Sequence, residues 1–255
     1  MSIVARIAGP ARLDRLAGKI FIDSPLRLFY IMEQLSYPIE QEHTMLIPDQ
    51  RKKILEVFFN DPFREVHLRE VVRLSKVSLT NVDNSLRLFV KEDMFKRREV
   101  SNMVFFKPNL ENEALLKIFE YLEMEKRKDF YGKNKKIARL LQKYSKTIVD
   151  LSDKKIQIVI LFGSVARGDW TKDSDVDMLA VVSGKEKEVT PVLNKAKTDA
   201  GPLLEIRPIS TTTEKFVNGF KKRTEFYDEL WEDRVVLYNE FLFWQLIREG
   251  GESNA

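Results

Sequence analysis

Apolar residues between positions 49 and 109 recur at intervals of three and four, the spacing that places side chains on one face of a helix. The pattern predicts three helices, of which the first ends at Asp61-Pro62. Two apolar-rich runs then flank Ser101-Asn102, which predicts a β-hairpin. The expected order in this stretch is therefore helix, helix, helix and hairpin.

The pattern changes at residue 151, where strands begin to alternate with helices. The runs IQIVILF, VDMLAVV and PLLEIRPIS predict strands, so that residues 151–255 form an α/β domain. Residues 110–150 carry two apolar stripes with helical spacing and are expected to form a helical linker. Residues 1–48 fit neither pattern and form an N-terminal extension of unclear role. Within it, Met45 could serve as an alternative translation start.

The element order in 49–109 is that of a winged helix-turn-helix, in which the third helix enters the major groove of DNA. Short polar side chains on such a helix can reach base edges, while basic side chains meet phosphates. The candidate DNA-binding residues are Thr80, Asn81, Asn84, Arg87 and Lys91 on the helix and Lys96, Arg97 and Arg98 on the hairpin. The alternative is that this outer face is merely solvated, in a module that binds protein.

The net charge of +4 is unevenly distributed along the chain. Basic residues outnumber acidic ones by 13 to 9 in 49–109, whereas 15 basic residues face 18 acidic ones in 151–255. A basic segment beside an acidic one fits a nucleic-acid-facing domain joined to a domain that concentrates carboxylates. Excesses of this size also arise by chance.

The chain contains no cysteine and two histidines. This excludes disulfide scaffolds, thiolate zinc sites and cysteine nucleophiles, and it disfavours imidazole-rich metal sites. No apolar run approaches the ~20 residues of a membrane span. The N-terminus also lacks the continuous apolar stretch of a signal peptide. We therefore expect a cytoplasmic protein with no membrane partner.

The stretch LFGSVARGDWTKDSDVDML, residues 161–179, carries the side chains best suited to chemistry. Gly163 and Ser164 follow a strand, where glycine permits a sharp turn and serine offers a hydroxyl and an N–H to a phosphate. Asp175 and Asp177 open the next strand, and residues i and i+2 of a strand point to one face. Two carboxylates so placed can bind Mg²⁺ together with substrate phosphates.

A third carboxylate on a neighbouring strand would complete a two-metal site, and Glu205 is the natural candidate. Arg207 lies two residues further and is expected on the same face. The alternative is that the aspartates form a solvated acidic loop. The apolar run directly after Asp177 argues against this, because a carboxylate beside a buried strand is costly unless it has a partner.

The pattern of Gly-Ser, ten residues and Asp-x-Asp resembles that of the minimal nucleotidyltransferases of the DNA polymerase β superfamily, over residues 151–255. The resemblance implies an α+β or α/β fold in which a winged helix-turn-helix precedes a polymerase-β-like domain with a mixed sheet. The implied nucleotide-binding residues are Gly163, Ser164, Arg167 and Arg207, and the implied catalytic and metal-binding residues are Asp175, Asp177 and Glu205. Many members have Asp where this chain has Glu205.

The reaction that this resemblance implies is attack by a hydroxyl on the α-phosphate of a nucleoside triphosphate, ATP in particular, with release of pyrophosphate. Two Mg²⁺ ions would stabilise the charges involved, and Asp177 and Glu205 could also take the hydroxyl proton. Three acceptors remain open: a protein side chain, a small-molecule hydroxyl or an RNA end. The first is suggested because some minimal nucleotidyltransferases resemble antitoxins that attach AMP to a toxin of the HEPN RNase type.

The rival interpretation is a transcription regulator, whose winged helix binds an operator while the C-terminal domain senses a nucleotide or a partner without catalysis. The two functions are compatible within one chain. A homodimer is a reasonable expectation for either, since winged-helix DNA binders are often dimers.

Overall fold

The computed structural model of the protein describes residues 47–171, 174–200 and 205–251. Nearly all of the predicted N-terminal extension, including Met45, lies outside the described residues. Residues 47–251 belong to one compact unit. No helix in this described part of the chain is both long enough and apolar enough to cross a membrane.

The first half of this unit has helices at the three positions expected, followed by the hairpin. A two-residue strand, absent from the sequence-based expectation, precedes the second helix and pairs with the hairpin in the order β1-β3-β2. The elements are α1 (Asp49–Asn60), β1 (Val66–His67), α2 (Leu68–Ser75), α3 (Leu79–Lys91), β2 (Phe95–Val100) and β3 (Met103–Pro108).

Local sequence signals define the ends of these helices. The hydroxyl of Ser78 accepts a hydrogen bond from the N–H of Asn81 (3.4 Å) and caps α3. The turn before it places Lys76 in the left-handed region (φ 57°), a conformation that favours glycine. The backbone N–H of Lys76 still satisfies a carbonyl at the end of α2, that of Val72.

The second half is a four-stranded mixed sheet with helices around it, which confirms the expected mixed α/β architecture. The sheet has the order β6-β5-β4-β7, with β5 and β6 parallel and the other pairs antiparallel. The strands are β4 (Ile156–Phe162), β5 (Val176–Val182), β6 (Ile206–Thr212) and β7 (Val235–Tyr238). The helices are α4 (Glu113–Lys133), α5 (Lys135–Leu151), α6 (Gly163–Arg167), α7 (Glu186–Ala200), α8 (Thr213–Lys221), α9 (Glu225–Asp233) and α10 (Glu240–Gly251).

One hydrophobic core extends across both halves. It joins buried residues of α1, α3 and β2 to residues of α8 and α10. At its centre the rings of Phe59, Phe119 and Trp244 pack against one another, with centroids 4.8–5.8 Å apart. These rings belong to α1, α4 and α10, so the segment expected to be a linker is built into the core.

A second core lies on the other face of the mixed sheet, where α5 and α7 pack. It is formed by alternate residues of β4 and β5, such as Leu161 and Met178, together with Leu141 of α5 and Leu193 of α7. Because a strand alternates its side chains, the residues between these face the first core. The sheet is thus buried on both faces, which explains its continuous apolar runs.

A buried ion pair joins the two halves at the end of α9. Glu123 of α4 and Arg234 are 0% and 1% exposed, and Nε of Arg234 donates to Oε1 of Glu123 at 2.8 Å. The same guanidinium donates to the carbonyl of Phe59 in α1 (3.3 Å) and to that of Trp231 (2.7 Å). Arg234 therefore ties α1 and α4 to the segment that leads into β7.

Replacing Arg234 by Met should lower the free energy of unfolding by about 3–5 kcal/mol, because the charge of Glu123 would remain buried without its partner. Urea denaturation measures this. Adding Glu123→Leu should restore most of the loss, since both charges are then gone. The control is Arg87→Gln, which breaks the exposed pair between Arg87 and Asp83 and should cost below about 1 kcal/mol. An Arg234 variant as stable as this control would contradict the assignment.

Candidate functional site

The turn after β4 brings the chain close to the start of β5. Gly163 follows the last residue of β4 with φ at +73°, a conformation that L side chains rarely adopt. A Cβ built on Gly163 would lie 2.8 Å from Oδ2 of Asp177, closer than real Cβ contacts. The antiparallel register places Phe162 directly opposite Asp177, so the approach follows from the pairing of β4 and β5. Gly163 is thus required both for the turn and for the Asp177 carboxylate beside it.

Asp175, Asp177 and Arg207 lie together at one end of the sheet. Asp175 precedes β5 and Asp177 is its second residue, so the alternation of a strand directs both to one face. Arg207 on the parallel strand β6 is the register partner of Asp177. Its guanidinium forms an ion pair with Asp175, with 2.9 Å between Nη2 and Oδ2. The sequence predicts Asp175 and Asp177 on one face and Arg207 on the face of Glu205, and the structure brings Arg207 into contact with Asp175.

The electrostatics of this cluster favour an additional cation. Burial raises the pKa of Asp177, and the negative charge of Asp175 raises it further, while Arg207 opposes the shift. One guanidinium therefore does not fully compensate two neighbouring carboxylates. A divalent cation bound by hard oxygen donors of this kind would favour the ionised form of Asp177.

Arg167, at the end of α6, is held by carboxylates that sequence analysis did not identify as part of the site. Its Nε donates to Asp169 at 3.2 Å, and its Nη1 is paired with Asp233 at the end of α9. These hydrogen bonds raise the pKa of Arg167. Ser164 is partly exposed, and its carbonyl accepts the N–H groups of Gly168 and Asp169 (3.0 and 3.2 Å). No local signal marks Asp233, because its role depends on the packing of α9 against α6.

Glu205 lies next to the start of β5, where its carbonyl accepts the N–H of Val176 at 2.8 Å, but its side chain has another partner. Its carboxylate accepts a hydrogen bond from Nζ of Lys197 on α7 at 3.0 Å, which lowers the pKa of Glu205. Among the described residues, no three acidic or histidine side chains lie close enough together to hold a metal ion. The structure thus brings two of the three proposed metal ligands together, and the role of Glu205 stays a prediction.

The eight candidate DNA-binding residues are all exposed. Several already have side-chain partners within the protein: Arg87 pairs with Asp83 and Arg97 with Glu99 (2.8 Å each), Asn81 donates to Gln50 (2.8 Å), and Arg98 pairs with Glu65. Lys96 has no hydrogen-bond or ion-pair partner in the described part of the chain. The outer face of α3 and the hairpin is accessible, and much of its positive charge is compensated.

Two similarities to known proteins bear on this site. Residues 141–239 match a family model described as a nucleotidyltransferase domain. A curated protein of Methanocaldococcus jannaschii named “Putative protein adenylyltransferase” is 39% identical over 61 residues, which cover 24% of this chain. The match spans 58% of that protein's length. No solved structure matches the chain significantly. The stretch from Leu141 in α5 to Asn239 after β7 is therefore similar to a nucleotidyltransferase domain.

Proposed function

We propose that the protein transfers a nucleoside monophosphate, AMP from ATP, to a hydroxyl acceptor. The observation that carries this proposal is the contact between the Gly163 turn and the carboxylate of Asp177, with Asp175 beside it. This arrangement puts a backbone turn suited to phosphates next to a pair of acidic side chains. It lies within the residues that match a nucleotidyltransferase domain.

In the proposed reaction the acceptor oxygen bonds to the α-phosphorus of ATP while the bond to pyrophosphate breaks. The turn at Gly163 and the hydroxyl and N–H of Ser164 bind the departing phosphates. Arg207 is close to the aspartates, and it can donate hydrogen bonds to the same phosphates when its ion pair with Asp175 breaks. Arg167, fixed by Asp233 from the side of α9, orients the short helix that carries Ser164.

Asp175 and Asp177 are the residues that would hold Mg²⁺. The fit rests on their uncompensated charge and on their oxygen donors, which suit a hard cation whose other ligands are phosphates. When bound, Mg²⁺ would neutralise charge on the reacting phosphates. The acceptor proton leaves to the Asp177 carboxylate in our proposal. A contribution from Glu205 requires it to leave Lys197.

The acceptor is proposed to be a hydroxyl on another protein. The name of the Methanocaldococcus jannaschii relative, “Putative protein adenylyltransferase”, supports both AMP as the transferred group and a protein as the acceptor. A toxin of the HEPN RNase type remains a candidate, with small molecules and RNA ends as alternatives. The matched segment covers 58% of the relative's length, so the activity of that whole protein is not assigned to this chain.

Replacing Asp175 and Asp177 together by Ala should abolish transfer of label from α-labelled ATP in host lysate with Mg²⁺. A loss of at least about 10³-fold is expected, because both the metal-binding oxygens and the proton acceptor disappear. The size of the labelled product distinguishes a protein acceptor from RNA or a metabolite. The matched control is Asp228→Ala on the exposed face of α9, which should transfer normally.

If the wild-type protein neither labels an acceptor nor releases pyrophosphate with any nucleoside triphosphate, catalysis is excluded. The result would then favour the rival function, a DNA-binding regulator whose C-terminal domain has no catalytic activity. Equal activity in the double variant and the wild type would contradict the assignment of the site.

Replacing Gly163 by Ala should lower transfer by about 100-fold, because the new Cβ must displace the Asp177 carboxylate by about an ångström. Gly168→Ala is the matched control. Gly168 has a similarly positive φ of +87°, but a Cβ there meets nothing within 4 Å. The rate of label transfer is measured for both purified variants. A larger loss for Gly163→Ala than for Gly168→Ala is due to the clash with Asp177 and not to backbone strain. Equal losses in the two variants would attribute the effect to strain alone.

We further propose that the first half of the unit is a winged helix-turn-helix that binds DNA. The order α1, β1, α2, α3, β2, β3 supports this, as does the exposure of the candidate contact residues. Lys96 is the basic side chain best placed for a phosphate, because Arg97 and Arg98 are engaged with Glu99 and Glu65. Transfer and DNA binding are then carried by separate surfaces of one chain.

Lys96→Gln should lower the slope of log K against log salt by about 0.9 for a duplex of random sequence, the value for one lost phosphate contact. Fluorescence anisotropy over a salt series measures the slope. Lys146→Gln on α5, whose exposed amine pairs with Asp150, should leave the slope unchanged. An unaltered slope for the Lys96 variant would contradict the proposal that Lys96 of the hairpin contacts a DNA phosphate.

A further inference from the structure

A cavity of about 600 Å³ lies between α1, α4, α6 and the start of β7. Its volume is in the range of pockets that hold small organic ligands. The apolar part of its lining is formed by Phe59, Leu122, Phe130, Ala166 and Val235. Its charged lining residues are Lys52, Glu56, Glu125, Lys126, Asp129, Lys133 and Arg167.

Lys126 is the unusual member of this lining. It is largely shielded from solvent, yet it has no hydrogen-bond or ion-pair partner among the residues that the structure describes. Burial and, secondly, the neighbouring Arg234 guanidinium lower the pKa of its amine to about 8, and the charges of Glu123 and Asp233 oppose the shift. A shielded amine without an anionic partner is costly, and a bound anion would relieve that cost.

Two other cations of the cavity, Lys52 and Arg167, are already compensated. Lys52 is paired with Glu125, which also accepts a hydrogen bond from Tyr121 at 2.7 Å. Arg167 is paired with Asp233 and Asp169. Lys133 lies seven residues after Lys126 and therefore on the same face of α4.

The acidic side chains of the cavity only partly offset these two amines. Burial raises the pKa of Glu56, with Glu125 adding to the shift and Lys52 opposing it, which disfavours the charged form of Glu56. Asp129 is exposed. Lys126 and Lys133 are thus the positive groups left for a ligand.

We propose that this cavity binds a small phosphate-bearing molecule, with the phosphate at Lys126 and the body of the ligand against Phe59, Leu122 and Phe130. The site is separate from the transfer site, because none of the residues that form the aspartate cluster or the Gly163 turn lines it. Arg167 alone belongs to both, since it lines the cavity and ends the helix that begins at Gly163. The ligand is either an acceptor or an effector that acts through α6.

The first test uses the wild-type protein with ¹³C-dimethylated lysines and follows the Lys126 resonance against pH. Its assignment comes from its absence in Lys126→Gln. With inorganic phosphate or AMP added, the resonance should titrate at least one pH unit higher, which means about tenfold tighter binding to the protonated amine. The charged groups near this amine are Lys52, Glu56, Glu123, Glu125, Asp129, Lys133, Arg167, Asp233 and Arg234. An unchanged titration with both probes would overturn the proposal.

The second test compares AMP affinity among variants by calorimetry without Mg²⁺. Lys126→Gln should weaken binding at least about tenfold, the contribution of one hydrogen bond to a charged group. Lys126→Arg should retain most of the affinity. The matched control is Lys128→Gln, an exposed lysine on the same helix that does not line the cavity, and it should bind like the wild type. Equal weakening in Lys126→Gln and Lys128→Gln would overturn the proposal.

The third test separates this site from the transfer site. Asp175→Asn with Asp177→Asn should leave AMP binding unchanged, and loss of binding in that variant would show that AMP occupies the transfer site instead. Because this assay needs no transfer, it succeeds or fails independently of the proposed function. If the variant retains AMP binding, the wild-type protein then decides the role of the ligand: AMP that gains label from α-labelled ATP there is an acceptor. AMP that binds without gaining label and alters transfer to another acceptor is an effector.

Discussion

Arg234 makes the buried interactions on which the arrangement of both halves depends. Its guanidinium is 1% exposed, pairs with Glu123 of α4 and donates to a carbonyl of α1. It also lies 3.5 Å from the centroid of the Trp231 ring, a favourable cation–π distance. A charge this deeply buried is tolerable only with its partners in place, so α1, α4 and α9 hold one relative arrangement.

The residues on either side of Arg234 carry this constraint toward the candidate site. Asp233 holds Arg167 at the end of α6, and Val235 begins β7, which pairs with β4. β4 in turn delivers Gly163 to the Asp177 carboxylate. The same few residues that join the two halves of the unit therefore also position the turn and the short helix of the site. A ligand in the cavity would contact α1 of the first half and the end of α6.

The aspartate cluster is electrostatically incomplete. Arg207 satisfies Asp175, yet burial and the neighbouring charge still raise the pKa of Asp177. Arg207 and a metal ion would compete for the Asp175 carboxylate. In the proposed function, Arg207 would turn from the carboxylate toward the phosphates when nucleotide and metal are bound, since a guanidinium binds both kinds of oxygen anion. The Glu205 carboxylate would likewise have to break its hydrogen bond with Lys197 before it could join the aspartates.

The sequence by itself determined the mixed α/β architecture and the placement of Asp175 and Asp177 on one face, whereas the pairing of β5 with β6 brought Arg207 to them. The architecture and the shared face follow from local rules: the apolar periodicity of helices and strands, and the alternation that puts residues i and i+2 on one face. The Gly-Ser turn could be predicted because glycine directly after a buried strand permits a sharp turn of the backbone.

Tertiary packing alone decided the partners of long charged side chains. Glu205 meets Lys197, Arg167 meets Asp233, and Glu123 meets Arg234, across 8, 66 and 111 residues of chain respectively. Segment 110–150 was expected to be a linker, and it became part of the core because Phe119 of α4 packs against Phe59 of α1 and Trp244 of α10. Periodicity shows which face of a helix is apolar, but the surface that buries that face depends on how distant segments pack.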